Sequence, residues 1–361
     1  MTWIKKIIGI DYFKQSLIIF HLIFPFICWF YTINNPKESD SERYIRFATD
    51  LDWRSLFDFG DRFIALLIYP FVKIGFGYLT LTLLFSVISL IGFLTYYNLY
   101  KQKGFLNPVN SNFLAVFWLF LPSLHFWSSF LGKDTIVFVM LALVLKAIDS
   151  KYYKSPLLFL FVVLAFFIRP YSVLIVLLAL VISILSFAKI NFKKKIAIAL
   201  FMFVVLITTT LVLVRFYLNI DSAYTIKAIL SQFYNNLQSY QEATGATEYS
   251  VLSTSYLEKL SIIAFRPLYF DANSFFQILA SVQNTVIIAT IVYYGYLFFA
   301  KKRRLNNISY KFALIAGLLF LIIIGSYIYN LGQASRMRVM ILPFILYALS
   351  NLSSNNKKTI H

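Results

Sequence analysis

The sequence predicts an all-α, polytopic integral membrane protein, and three observations carry that prediction. Hydrophobic residues make up 60% of the 361-residue chain and charged residues 13%, whereas a soluble domain is nearer one half and one quarter. The apolar residues recur in long runs of the size that bilayer-crossing helices need. The net charge of +18 sits in short clusters between those runs. No Lys/Arg-rich soluble domain presents a basic face, which excludes a nucleic-acid partner and makes the charge a topology signal.

Ten spans are expected, at 16–34, 75–100, 113–128, 135–148, 156–168, 172–188, 196–214, 276–299, 312–331 and 332–350. The first follows Lys5, Lys6 and Lys14 like the start of a signal peptide. It is long, and "NNPKESD" offers no small-residue cleavage site, so it reads as a retained helix. The lone cysteine, Cys28, lies within it, which excludes an intramolecular disulfide and a Cys-based metal site. With the N-terminus inside, nineteen of the 33 Lys and Arg residues fall on inner segments, against only two acidic residues, Asp11 and Asp149. The outer segments are then nearly neutral, so the positive-inside rule places both termini in the cytoplasm.

Residues 1–361 are expected to form a single transmembrane domain with two outer segments long enough to fold. In the first, 35–74, Ser39 followed by Glu42 fits a capping box, and Tyr44, Phe47, Ala48 and Leu51 follow at helical spacing. "FIALLIYPFVKIGFG" then reads as interfacial or re-entrant, because Pro70, Lys73, Gly75 and Gly77 interrupt it. In the second, 215–275, Ile226, Ile229, Leu230, Phe233 and Leu237 form an amphipathic stripe, and "QEATGATEYSVLSTS" reads as a polar turn.

Three hairpins are short of length. Residues 113–148 must supply two crossings and a turn in 36 residues, and 156–188 must do so in 33, where two full spans need about 40. Their outer turns, "HFWSSFLGKDT" and "FIRPYS", are therefore expected to be sunken below the outer surface. The last hairpin repeats the pattern at "GQASRMR". The apolar run after Arg338 is only 12 residues long, about 18 Å of helix, so the final span is expected to begin near Gly332. Lys133, Asp134, Arg169, Arg336 and Arg338 would then gather at outer-leaflet depth, where ionised groups persist only against protein or a water-filled cavity. Arg266, in "AFRPLYFDANS", is a rim candidate. Arg336 and Arg338 are about 200° apart around a helix, so both face one pocket only if the turn there is irregular. His125, beside Trp127, reads as an interfacial side chain that supports the site, His21 as a packed polar residue, and Tyr171 as a further supporting residue.

A cationic crater at that depth suits an anionic head on a lipid tail. Guanidinium forks bind phosphate oxygens bidentately and stabilise charge developing on a phosphate leaving group. Sugar transfer also needs a base for the acceptor hydroxyl, and the acidic first outer segment offers Asp40 and Glu42 first, with Asp50, Asp52, Asp58 and Asp61 further on. The later four read as a solvated face paired with Arg43, Arg46 and Arg54. No spacing suggests a zinc site and no phosphate-binding glycine loop is present. No cofactor is expected, and a divalent-metal requirement stays open.

"DSERYIRFA" (Asp40, Tyr44, Ala48) resembles the acidic start of the first outer loop in GT-C-type membrane glycosyltransferases. "PSLHFWSSFLGKD", "IRPY", "AFRPL" and "GQASRMR" are similar to segments of their relatives, including the repeat-unit polymerases of bacterial surface polysaccharides such as O-antigen or capsule. The resemblance implies a membrane glycan-assembly enzyme at the outer face of the bacterial inner membrane. Asp40 would be the loop carboxylate, and Arg169, Arg266 and Arg336 would bind the phosphates of a polyprenyl-linked donor. Its partners would be that donor, a glycan acceptor, membrane lipids, and a chain-length regulator or flippase. The second acidic residue and the C-terminal soluble domain common in GT-C enzymes have no counterpart, which favours the polymerase side. The alternatives are a single-sugar transferase using a polyprenyl-monophosphate sugar, and a lipid-linked glycan flippase or transporter.

Overall fold

Local signals decide where the helices start and stop. The structure is a computed structural model that describes residues 11–34, 39–106, 116–151, 153–187, 191–217, 226–244, 254–305, 307–326, 328 and 330–353. The readings made above on 35–38, 113–115 and 245–253, and on the extreme termini, lie outside those residues. Among the described residues every regular element is helical. Five helices among the described residues are long and apolar enough to cross a membrane. The chain divides into two compact units, residues 1–168 and 169–361.

The first unit contains α1 (Tyr12–Ile33), α2 (Asp40–Asp50), α3 (Asp61–Lys73), α4 (Tyr78–Gln102), α5 (Pro122–Ser129), α6 (Lys133–Ser150) and α7 (Pro156–Ile168). The capping box at α2 is present: Glu42 N donates to Ser39 Oγ (3.2 Å) and Ser39 N donates to Glu42 Oε2 (2.7 Å). This fixes the register that buries Ser41, Tyr44 and Ala48 on one face. The chain turns into α3 through Gly60 at φ +76°, a conformation open to glycine at little cost. Of the segment read as interfacial, residues 63–73 belong to this 13-residue helix, which runs through Pro70, and 74–77 lie beyond its end.

The span expected at 113–128 is corrected. A 3-10 turn, Phe117–Phe120, is followed by the separate eight-residue α5, with Leu121 extended between them. Pro122 sits at the first turn of α5, where its missing N–H matters least, and it forces the preceding residue out of the α region. α4 packs against α1 and α6, and α5 lies against all three. α4 approaches α6 closely at Gly92, where an added Cβ would lie 2.7 Å from the Phe138 ring.

The second unit contains α8 (Pro170–Phe187), α9 (Phe192–Tyr217), α10 (Ile226–Thr244), α11 (Tyr256–Phe265), α12 (Phe275–Phe299), α13 (Ile308–Gly325) and α14 (Leu331–Ser350). Pro170 ends one helical run and opens the next, as its missing donor predicts. The expected span 312–331 is displaced toward the N-terminus. Asn307 caps α13, with its Oδ1 accepting from Ser309 N, and Asn330 caps α14, accepting from Gln333 N at 2.6 Å. α13 packs along α14 and α8, and α11 contacts both α13 and α14. At Gly317 of α13 an added Cβ would meet the Ile345 side chain at 2.6 Å and its backbone N at 3.2 Å. Only glycine allows this approach.

Candidate functional site

The expected site residues fall into one group in each unit. In the first unit the acidic segment builds a chain of alternating charges. Arg43 Nη2 lies 2.6 Å from Asp40 Oδ1 and 2.8 Å from Asp61 Oδ2. The other oxygen of Asp61 pairs with Lys133 Nζ. The chain runs from an open end to an enclosed one, because Asp40 and Arg43 are each 37% exposed and Lys133 only 16%. Ser41 Oγ donates to Leu131 O (2.8 Å), which ties α2 to the turn before α6. Gly132 in that turn lies under the Tyr44 ring, 3.7 Å from where a Cβ would be. Asp134 follows Lys133 in the first turn of α6 and is buried. A carboxylate there is favoured by the helix dipole.

The two catalytic candidates differ in what holds them. Glu42 Oε2 accepts from both Ser39 N and Ser39 Oγ (2.9 Å), so that oxygen serves the helix cap. Asp40 is held by Arg43 at the solvent-facing end of the charge chain. Asp61, read from sequence as part of a solvated face, is instead the centre of the chain. Its position straight after Gly60, at the start of α3, was the available signal.

In the second unit the arginines divide. Arg338 is 1% exposed, eight residues into α14. Its Nε donates to Ile263 O (2.7 Å), Nη1 to Asn284 Oδ1 (2.7 Å), and Nη2 to Ile262 O (3.2 Å) and Arg266 O. These acceptors are the last carbonyls of α11, the residue that follows them, and one side chain of α12. Helix C-terminal carbonyls lack intrahelical partners and carry partial negative charge, so they suit a guanidinium. Asn284 passes the restraint on, donating from Nδ2 to Pro267 O (2.7 Å).

Arg266 itself turns to Asp271: Nε lies 2.9 Å from Oδ2 and Nη2 contacts Oδ1, with the guanidinium 5.0 Å from the Phe270 ring centroid. Asp271 also accepts from Leu268 N (2.7 Å). The Arg266 hydrogen bonds hold its carboxyl below the usual aspartate range.

Arg169 is 5% exposed and begins the second unit, with Nη1 3.6 Å from Met337 Sδ and 3.7 Å from Met340 Sδ on α14. Its carbonyl accepts from Ser172 N (2.9 Å) and Ser172 Oγ (2.7 Å), which closes the first turn of α8. Tyr171 beside it is half-buried. α14 is helical from Leu331, one residue before the expected start, and no irregular turn intervenes. Arg336 is half-buried and Arg338 fully buried, and they leave α14 on different sides.

The expectation for His125 is corrected. It is buried rather than interfacial, and its Nδ1 lies 2.8 Å from Nδ1 of His21. Three phenylalanines leave no aqueous face to the ring, and nothing in the local sequence signalled a partner 104 residues away. Asn284 and Asp271, neither singled out in the sequence, complete the Arg338 and Arg266 contacts.

No known family model matches the chain, and neither a curated protein nor a solved structure matches it.

Proposed function

We propose that the protein is a membrane glycan-assembly enzyme that transfers or polymerises sugars from a polyprenyl-diphosphate-linked donor at the outer face of the bacterial inner membrane, for a surface polysaccharide. The observation that carries the reading is Arg169, an arginine buried among apolar helices beside Met337 and Met340. An ionised group in such a setting marks a functional site by default. In this reading the chain crosses the membrane ten times with both termini in the cytoplasm, residues 117–129 crossing as a 3-10 turn and a short helix and not as one continuous helix. Its short paired helices, such as the 13-residue α7, about 20 Å long, leave their outer turns sunken.

The roles follow the resemblance for Arg169 and Arg336 and the hydrogen bonds for Arg338. Arg169 and Arg336 bind the donor phosphates through their forked donors. Arg338 holds the segment that carries Arg266 and Asp271, since four of its N–H groups are committed to protein acceptors. Asp40 is the base. The acceptor hydroxyl oxygen attacks the anomeric carbon, the bond from that carbon to the phosphate oxygen breaks, and the diphosphate leaves with the electron pair. The hydroxyl proton passes to Asp40, and the arginines stabilise the charge that develops on the leaving diphosphate.

The test is in vitro. Purified protein in nanodiscs is given a polyprenyl-diphosphate-linked repeat unit, and products are sized by mass. Products growing by whole repeats support the reading, and growth by one sugar from a monophosphate carrier supports the single-sugar transferase. No growth with either donor contradicts both.

A second reading, a lipid-linked glycan flippase or transporter, is favoured by one observation. The buried His21–His125 pair places two imidazoles in contact among helices, a residue type that proton-coupled transport uses. Movement of a labelled lipid-linked glycan across liposomes without sugar transfer would select it.

A further inference from the structure

The hydrogen bonds around His21 and His125 constrain where protons sit. His125 Nε2 lies 2.6 Å from Leu119 O, an acceptor only, so that nitrogen carries a hydrogen. Its Nδ1 then offers a lone pair, and His21 Nδ1 at 2.8 Å must bring the hydrogen between them. The remaining nitrogen, His21 Nε2, has two kinds of neighbour. Ser86 O at 2.9 Å can only accept, whereas Ser89 Oγ at 2.8 Å and Ser86 Oγ at 3.1 Å can donate. Ser89 Oγ has a second outlet, Ser86 O at 3.0 Å.

Two proton arrangements satisfy every group. In one, a serine hydroxyl donates to a bare His21 Nε2 and the pair is neutral. In the other, His21 Nε2 carries a hydrogen to Ser86 O, Ser89 turns its own to the same carbonyl, and the pair bears one positive charge. We propose that His21 and His125 form a binding site for one proton, taken up at His21 Nε2 and accommodated by rotation of the serine hydroxyls. The site goes beyond the glycan-assembly reading and does not rest on it.

Each arrangement has a hydrogen-bond partner at His21 Nε2, a serine hydroxyl for the neutral form and the Ser86 carbonyl for the charged one. Phe93 lies 4.9 Å from the His21 ring at 50° between planes, and stacks on His125 with centroids 4.0 Å apart. Aromatic faces attract a cation. On the helices packed around the pair, α1, α4, α5 and α6, the titratable and charged side chains include Cys28, Tyr96, Tyr97, Lys133 and Asp134. The hydrogen bonds of the imidazoles go to each other, to Ser86, to Ser89 and to Leu119. Cys28 Sγ is directed to Phe126 O. The charge of the bound proton, which sits on His21, is therefore met by the Ser86 carbonyl and by Phe93.

The experiment is nitrogen NMR of full-length, 15N-histidine-labelled protein in nanodiscs, titrated over roughly pH 4 to 9, the range in which imidazoles change charge. His361→Asn leaves only the pair visible. The expected result is that His125 keeps its Nε2 hydrogen throughout, while His21 passes from a neutral Nδ1–H form to the doubly protonated form, with one proton bound per molecule. Ser86→Ala/Ser89→Ala removes the donors of the neutral form and leaves the carbonyl acceptor of the charged form. It should raise the midpoint by about one pH unit, the equivalent of one hydrogen bond. A neutral His21 that carries its hydrogen on Nε2 would overturn the proposal. So would uptake of two protons, absence of any titration, or a midpoint unmoved by the serine changes.

Discussion

The two units handle ionised side chains in opposite ways. In the first, charge meets charge: Asp40, Arg43, Asp61 and Lys133 alternate in sign and link α2, α3 and α6 across an exposure gradient. In the second, Arg338 is satisfied by four neutral acceptors, three of them backbone carbonyls. A half-exposed ion pair keeps much of its hydration, so losing one costs little. A buried guanidinium has surrendered its water, and the carbonyls it serves have none to fall back on. The difference teaches that the count of arginines near an outer face says little about function. Arg338 is held by backbone carbonyls and Asn284, whereas Arg169 lies against the sulfurs of Met337 and Met340.

The comparison is broken most severely at Arg338. Arg338→Ala takes the Arg338 donor from Ile263 O, Arg266 O and Asn284 Oδ1, while Ile262 O keeps Arg266 N at 3.0 Å, a loss of about 3 kcal/mol. The unfolding midpoint in detergent should fall by roughly 6–12 °C, and Arg338→Lys, with fewer donors, should recover only part. Next comes Gly317→Val, which forces α13 off α14 at a 3.2 Å backbone approach and should cost about 2 kcal/mol by the same measurement. Asp61→Asn in the first unit removes the shared carboxylate charge from two cations. At this exposure the effect should be about 1 kcal/mol, shrinking in high salt, with a double-mutant cycle against Lys133→Met showing coupling.

The smallest effect is bound to pH. The carboxyl of Asp271 is held below its ordinary value by Arg266, so its contribution is fully present above about pH 4 and is lost as pH falls through the lowered value. Asp271→Asn should flatten the acid side of the stability profile between pH 4 and 2, to be read by thermal unfolding across roughly that range.

Local features of this fold were legible in the sequence. The Ser39/Glu42 cap, the helix break before Pro170 and the start of α14 follow from spacing, proline chemistry and the length of apolar runs, all of which act within a few residues. The break at Pro122 carried the same kind of signal and was read through, because the apolar run continues across it. What escaped depends on distant partners. Asp61 and Lys133 are 72 residues apart, Asn284 and Arg338 are 54 apart, and His21 and His125 are farther still. Nothing in a local pattern distinguishes an arginine that will find carbonyls from one that will face a ligand. The periodicity of α14 separated Arg336 from Arg338 by direction, and only the position of α11 shows which of the two is buried.

The central claim is that the arginines divide into one that holds the fold and others that hold phosphate. It is tested most directly by measuring surface-glycan chain length per unit of membrane-inserted protein for Arg169→Ala and Arg338→Ala, side by side with wild type. The account predicts that Arg169→Ala reaches the membrane in good quantity but shortens or abolishes the glycan ladder, while Arg338→Ala lowers the amount of inserted protein. A full-length ladder from Arg169→Ala, or normal amounts of an Arg338→Ala protein that makes no glycan, would contradict it.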